Sequence, residues 1–303
     1  MALIDWSKVT LTDPPQLPRE VLRELKKGID GTFREFSRGY GEAIENFFHP
    51  LLMFLKWFQD LLIETPWPLI LVILGALSWW GSRSWKMVLG TVVAFLFIGW
   101  LDMWEDTMAT LAIVSVATLL CIAIGIPIGI LMARSDRVQA MILPVLDIMQ
   151  TIPSFVYLIP VVMLLGIGKV PGLLAVMIYA IPPIVRLTNL GIRLVDKEVL
   201  EAADAFGSSY RQKLFQVQIP LALPNIFAGV NQTIMMALSM VVIAAMIGVP
   251  GLGVPVLRAV SNQYLALGVM NGLAIVAIAI IFDRVSQAFG KRLQKHREGE
   301  HGA

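Results

Sequence analysis

Side chains able to do covalent or metal chemistry are few and scattered in this sequence. His49, His296 and His301 lie too far apart to form a metal motif, and the single cysteine, Cys121, excludes an internal disulfide or a cysteine-based cluster. No histidine falls in an apolar run and no nucleophile stands beside a base, so the residues argue against an enzyme. A phosphate-binding loop is missing as well. Gly166-Ile-Gly-Lys169 has neither the upstream glycine nor the following Ser or Thr of G-x-x-x-x-G-K-[ST]. No residue is assigned a catalytic or metal-binding role, and no cofactor is expected in this chain.

The polar residues that remain of interest lie inside apolar runs, where a polar group costs free energy unless it meets a partner or a cavity. Gln150, Thr151, Ser154 and Tyr157 fall in one run, Asn231, Gln232, Thr233 and Ser239 in another, and Asn271 in a third. Two readings are open for each: a hydrogen bond between packed helices, or the lining of a path. Asp147 is the one acid placed firmly within a run, and Arg186 lies near the inner end of the next. The two either form a buried ion pair that fixes an inner gate, or Asp147 is an interfacial carboxylate reaching water.

These residues need elements to hold them, and the composition says which kind. The 303 residues are 57% hydrophobic and 15% charged, against roughly 25% charged in soluble proteins, which excludes an ordinary soluble enzyme. A helix crossing a bilayer takes about 20 mainly apolar residues. Candidate spans fall at 67–81, 87–102, 107–133, 142–166, 170–191, 222–248 and 265–283. The first two are short and separated only by Gly81-Ser-Arg-Ser-Trp-Lys86, so they read either as two crossings or as a re-entrant hairpin. Prolines at 127, 144, 153, 160, 182 and 183, and the Gly125/Gly129 pair, suit kinked, closely crossing helices.

A net charge of +2 gives no case for nucleic acid, but the distribution of charge is informative. With the 192–220 loop inside, alternation places Arg83, Lys86, Arg134, Arg137, Arg193, Lys197, Arg211 and Lys213 inside. The tail with Lys291, Arg292, Lys295 and Arg297 joins them. Asp102, Glu105, Asp106, Lys169 and Arg258 fall outside, in agreement with the excess of basic residues on cytoplasmic loops. Seven crossings then leave the N-terminus outside.

The first forty residues lack an apolar signal-peptide core, so the spans themselves are expected to direct insertion. Within 16–46, Val21, Leu22, Leu25, Ile29, Phe33 and Phe36 recur at helical spacing, as in a surface helix. Along 47–63 and just before it, Glu45, His49, Lys56 and Asp60 share a face opposite Phe48, Leu51, Leu55, Phe58 and Leu62. That pattern favours a helix lying in the membrane interface over an eighth crossing. The expected organisation is an N-terminal scaffold of amphipathic helices over 1–64, an accessory transmembrane hairpin over 65–104, a core over 105–288 and a basic cytoplasmic tail over 289–303. On the outer side, Gly248 to Pro255 reads as a tight loop.

The longest polar interruption of the membrane portion is 192–220. Asp196 is placed to cap a helix starting near Lys197, and Gly207 to end it. Inside it stand Glu201, Ala202, Ala203, Asp204 and Ala205, small enough on one side for another surface to approach closely. Glu201-Ala202-Ala203, three residues, Gly207, nine residues and Val217-Gln-Ile-Pro220 resemble the EAA loop of the permeases of binding-protein-dependent ABC importers, E-A-A-x3-G-x9-I-x-L-P. Val217 and Ile219 depart from that pattern but keep its apolar character.

Over about residues 105–288 the resemblance extends to permeases for quaternary-amine osmolytes of the glycine betaine/proline betaine type. It is carried by Leu146 to Pro160, Tyr179 to Arg186, Ala228 to Thr233 and Ala237 to Met246. It implies an all-α, polytopic transmembrane domain of the type I importer class and a homodimer of permeases in a bacterial cytoplasmic membrane. It also implies two separate ABC ATPase subunits that bind the ATP, and an extracytoplasmic substrate-binding protein. Glu201, Ala202, Ala203, Asp204, Gly207 and Pro220 would make the ATPase contact. A quaternary ammonium is recognised mainly by aromatic faces, which makes Phe155 and Tyr157 cation–π candidates for such a cargo. Choline, carnitine or another small solute is the close alternative. An ATP-independent channel or secondary transporter is the rival of another class, disfavoured because such carriers more readily place several charges across their spans.

Overall fold

The computed structural model describes residues 17–300, with side chains described as far as Gly290; the basic residues of the tail and the first sixteen residues lie outside that range. Among the described residues every regular element is helical. In chain order they are α1 (Arg19–Glu64), α2 (Trp67–Ser82), α3 (Trp85–Trp100), α4 (Trp104–Arg134), α5 (Asp136–Thr151), α6 (Leu158–Leu165), α7 (Lys169–Arg193), α8 (Lys197–Ala205), α9 (Tyr210–Gln212), α10 (Ile219–Ala244), α11 (Gly253–Asn262) and α12 (Leu265–Glu300). A π-helical stretch, Lys213–Gln218, joins α9 to α10, just before Pro220 withdraws a backbone donor from the next turn.

The centre of the molecule is α7, packed between α4 and α10. Glycines set those crossings, because lipid gives no hydrophobic drive between helices and close van der Waals contact must supply it. A Cβ at Gly125 would come within 2.5 Å of Ile184 Cγ2, and one at Gly129 within 2.6 Å of Thr188 Cβ and 2.8 Å of the Val185 carbonyl. Gly229 on α10 likewise meets Ile184 and Leu187, and Gly191 on α7 meets Asn225 and Ala222. Ala112, Ala117, Cys121, Leu173, Ala180 and Ile184 are fully buried in the resulting core.

Among the described residues four helices are long and apolar enough to cross a membrane: α4, α7, the Tyr210–Ile247 rod containing α10, and α12 up to Gly290. The chain is a multi-pass membrane protein, but three expectations about its path need correction. Residues 142–166 are not a straight span: α5 stops at Thr151, and the chain turns by 110° before α6. Ile152 is extended (ψ 130°) because the following Pro153 disfavours helical backbone there, and the Tyr157 hydroxyl closes the elbow by donating to the Met149 carbonyl.

The second correction concerns the N-terminal region, where the two helices expected over 16–46 and 47–63 are one rod of 46 residues, roughly 70 Å long at 1.5 Å per residue. It turns by 108° into α2. Its stripe of Leu51, Leu55, Phe58 and Leu62 packs on the bundle, and buried Gln59 accepts from Lys169 Nζ at 2.7 Å. Thirdly, the outer segment is no plain loop. Gly248 and Gly251 adopt positive φ, and a ten-residue helix, α11, follows. Leu252 N donates to Thr110 Oγ1 at 2.9 Å, which pins this segment to α4.

The hairpin of α2 and α3 has 16 residues in each arm, about 24 Å at helical rise. Gly75 seats Val88 and Val92 between the arms, and Gly81 fits against Val285 of α12. Thr91 Oγ1 donates to Ser78 Oγ at 3.2 Å inside the contact.

Candidate functional site

A nine-residue helix is marginal in water by itself, and α8 has no buried residue to stabilise it. Its order comes from its ends. Asp196 Oδ1 accepts from Glu198 N at 2.9 Å, a cap worth about 1 kcal/mol. At the other end Gly207 takes φ +74°, Ser208 N donates to Ala203 O at 3.1 Å and Gly207 N to Asp204 O at 2.9 Å. This pair of bonds is a Schellman closure, which needs a left-handed residue at Gly207.

The other end of the loop is also locked. Ser209 and Gln212 form a capping box that starts α9. Lys213 Nζ reaches back to both carboxylate oxygens of Asp204 at 2.7 Å. That contact ties α8 directly to the helical rod that becomes α10. Arg134 stacks over the Tyr210 ring at 4.5 Å. Arg193 pairs with Asp136 at 2.7 Å and donates to Met132 O at 2.9 Å and Asn189 Oδ1 at 3.1 Å. The basic residues that report the inner side from sequence thus also brace the loop against the ends of α4, α5 and α7.

The surface that α8 presents is accessible. Glu201, Ala202 and Asp204 are exposed, Ala203 is half-buried, and Phe206 stands 91% exposed at the tip. Pro220 lies farther along, in the first turn of α10. Sequence reasoning missed Phe206 and Lys213. The nine-residue spacing between Asp204 and Lys213 carries no helical signal, because a turn intervenes.

The polar residues of the spans divide into distinct groups. Gln150, Thr151, Ser154 and Phe155 gather at the α5–α6 elbow, which packs against α7 and α10, and Phe155 remains 58% exposed there. Tyr157 is buried, and its ring makes a T-shaped contact with that of Tyr179, centroids 6.0 Å apart. Asn231 donates to Asp283 Oδ1 at 2.7 Å, and Gln287 Nε2 donates to the same oxygen at 2.7 Å. Asn231 and Gln287, with Gln232 and Ser286, border a cleft of about 410 Å³ between α10 and α12. Thr233 is fully buried, Ser239 donates to the Met235 carbonyl, and Asn271 is buried with its amide donating to Leu267 O. Asp283 was missed because it closes an apolar run; its spacing of four from Gln287 is the signal that could have found it.

Asp147 and Arg186 meet, Oδ1 to the guanidinium at 2.5 Å. The two sequence readings merge here: the pair forms, yet the Asp147 side chain is 62% exposed and that of Arg186 30%. Solvent screening therefore limits what the pair adds to stability.

A bundle of kinked, glycine-packed helices with an uncovered helix at one end defines an all-α, multi-pass membrane subunit. Residues 125–295 match the family described as Binding-protein-dependent transport system inner membrane component. The chain is 50% identical over 242 residues to the Escherichia coli glycine betaine/proline betaine transport system permease protein ProW, covering 80% of this chain and 68% of that one. It is 45% identical to the Listeria monocytogenes glycine betaine/carnitine transport permease protein GbuB, over 92% of this chain and 98% of that one. The Bacillus subtilis glycine betaine transport system permease protein OpuAB is 41% identical, over 90% and 94%. Among solved structures, the MetNI methionine ABC transporter in an inward facing conformation superposes with TM-score 0.57 at 18% identity, over 65% of this chain and 97% of that one, and supports the fold. The chain belongs to the inner membrane components of binding-protein-dependent transport systems. It is a permease subunit of an ABC importer, not an enzyme, and membership implies an ATPase and a substrate-binding protein as partners.

Proposed function

We propose that this chain carries quaternary-amine compatible solutes, of the glycine betaine and proline betaine type, inward across a bacterial cytoplasmic membrane as a homodimer driven by separate ATPases. The relatives named above, at 41 to 50% identity, support that cargo class. The observation that carries the mechanism is α8: a helix with no buried residue, held rigid by Asp196, Gly207 and the Lys213–Asp204 pair. Ordering an uncovered helix at both ends costs conformational freedom, and a docked partner surface gives that order a use.

ATP is bound by the partner and not by this chain. Closure of two ATPases displaces α8 through Glu201, Ala202, Ala203, Asp204 and Gly207. The Lys213 contact and the 210–220 segment, with Pro220, pass the movement into α10, and α10 passes it to α7 through the Gly229 crossing. In this account Gln150, Thr151, Ser154 and Phe155 at the elbow face the path, and Phe155 offers its ring to the onium group. Gln232 and Ser239 are further path residues, whereas Tyr157, Asn231, Thr233 and Asn271 act through packing. The Asp147–Arg186 pair serves as an inner latch, its exposure allowing it to open and close at small cost.

The test is uptake of labelled glycine betaine into proteoliposomes that hold the permease and its ATPase, with the binding protein outside and ATP present or absent in the lumen. Accumulation that needs ATP is expected. Equal uptake without ATP would instead establish a channel or a carrier.

A further inference from the structure

At the end of the bundle opposite α8, α1 turns into α2 over Glu64, Thr65 and Pro66, and α3 ends at Trp100 beside the start of α4. Between these elements lies a pocket of about 490 Å³ whose walls include Glu64, Thr65, Trp67, Phe95, Trp100 and Trp104. That volume suits a small organic ligand. Phe95 is buried and holds Trp104 edge-to-face, with ring centroids 6.5 Å apart. Gly99 flanks the same indole, a Cβ there falling at an ordinary contact distance of 3.5 Å from its Cε3. Trp104 is half-buried, while Trp67 and Trp100 keep 56% and 81% of their surface free.

The lining of this pocket carries one charged side chain. Glu64 is the charged residue among those lining it. The helices α1 and α3 end here while α2 and α4 begin here at Trp67 and Trp104, so their terminal partial charges oppose one another and the Glu64 carboxylate supplies the negative charge. Aromatic faces combined with negative charge recognise an N-methylated cation. A zwitterion would gain the same contacts at its onium end but find no cationic partner among the lining residues for its acid group.

We propose that this pocket binds a quaternary ammonium cation without an acid group, such as choline or tetramethylammonium, at a site separate from the transport path. The ligand class follows from the pocket and does not depend on the cargo assigned to the importer. Tryptophans at the membrane interface can also serve as anchors alone, and the following experiment separates the two roles.

Equilibrium dialysis of radiolabelled choline is made against the full chain in nanodiscs of phosphatidylglycerol and phosphatidylethanolamine. Saturable binding of one choline per chain is expected, competed by tetramethylammonium at least about tenfold better than by glycine betaine. Trp100→Ala should weaken it about tenfold, Trp100→Phe should restore most of it, and Glu64→Gln should weaken it several-fold. Nanodiscs made with phosphatidylcholine identify the source. Loss of free choline binding there assigns the site to a lipid headgroup, and retention assigns it to a free solute. Absence of saturable binding, or binding unchanged in both Trp100→Ala and Glu64→Gln, overturns the proposal.

Discussion

In the middle of the bundle, Gly125 and Gly129 of α4 let Ile184 and Thr188 of α7 settle against the helix backbone, and Ala112, Ala117 and Ala180 are fully buried. On α8 small residues serve the opposite end: no side chain of that helix is buried, and the Phe206 that follows it is 91% exposed. The same residue type thus has two uses. Inside, it brings together helices of this chain; on α8, under the function proposed above, it leaves room for a helix of this chain to enter another protein. The first use is tested by stability and the second by coupling, so substitutions in the two regions should fail in different assays.

The largest effect is expected from Gly129→Leu. Its Cβ would meet both Thr188 and the Val185 carbonyl, and the backbone cannot yield as a side chain does. A loss of about 3 kcal/mol or more is expected, read as failure of the detergent-solubilised protein to elute as a single species and as a fall in its melting temperature. Next come Glu201→Lys and Gly207→Pro. Proline fixes φ near −65°, whereas Gly207 sits at +74°, so the closure of α8 is lost while the buried core is untouched. ATP-dependent uptake should fall to background with the melting temperature of the core unchanged; normal uptake in both variants would remove α8 from the coupling route.

A smaller, several-fold fall in uptake is expected for Asp147→Asn, with partial recovery in the Asp147→Arg/Arg186→Asp double variant, measured as initial rates. Failure of the exchange to recover any rate would show that the pairing itself does not matter. The least effect on stability is expected for Lys213→Met. The Lys213–Asp204 pair is partly exposed, so its removal should cost under about 1 kcal/mol, while uptake per ATP hydrolysed should fall several-fold because α8 loses its tie to α10.

Much of this division was legible before any coordinates. Asp196 and Gly207 mark the ends of α8 because capping and left-handed closure are local rules that one or two residues satisfy. The runs at 67–81, 107–133, 170–191 and 265–283 correspond to helices because apolar length is also a local property. Direction is not. The 142–166 run is mainly apolar, yet Ile152-Pro153 turns it by 110°, and hydropathy has no term for a bend. The α11 helix was hidden by Gly248, Gly251 and Pro255, which read as a turn although a proline in the first turn of a helix leaves no bond unmade. At the site, the residues of α8 were visible as a motif. The contacts that fix it, Lys213 to Asp204 and Arg193 to Asp136, span turns or separate helices and leave no periodic trace.

The central claim, that α8 is the surface through which a separate ATPase moves this bundle, is tested most directly by a photoreactive p-benzoylphenylalanine placed at Ala203 in the assembled complex. The expected result is a covalent adduct with the ATPase, strong in the complex and weakened when Phe206→Asp removes the exposed tip. An ATPase that co-purifies with the permease and supports uptake, yet forms no adduct from Ala203, would contradict the account.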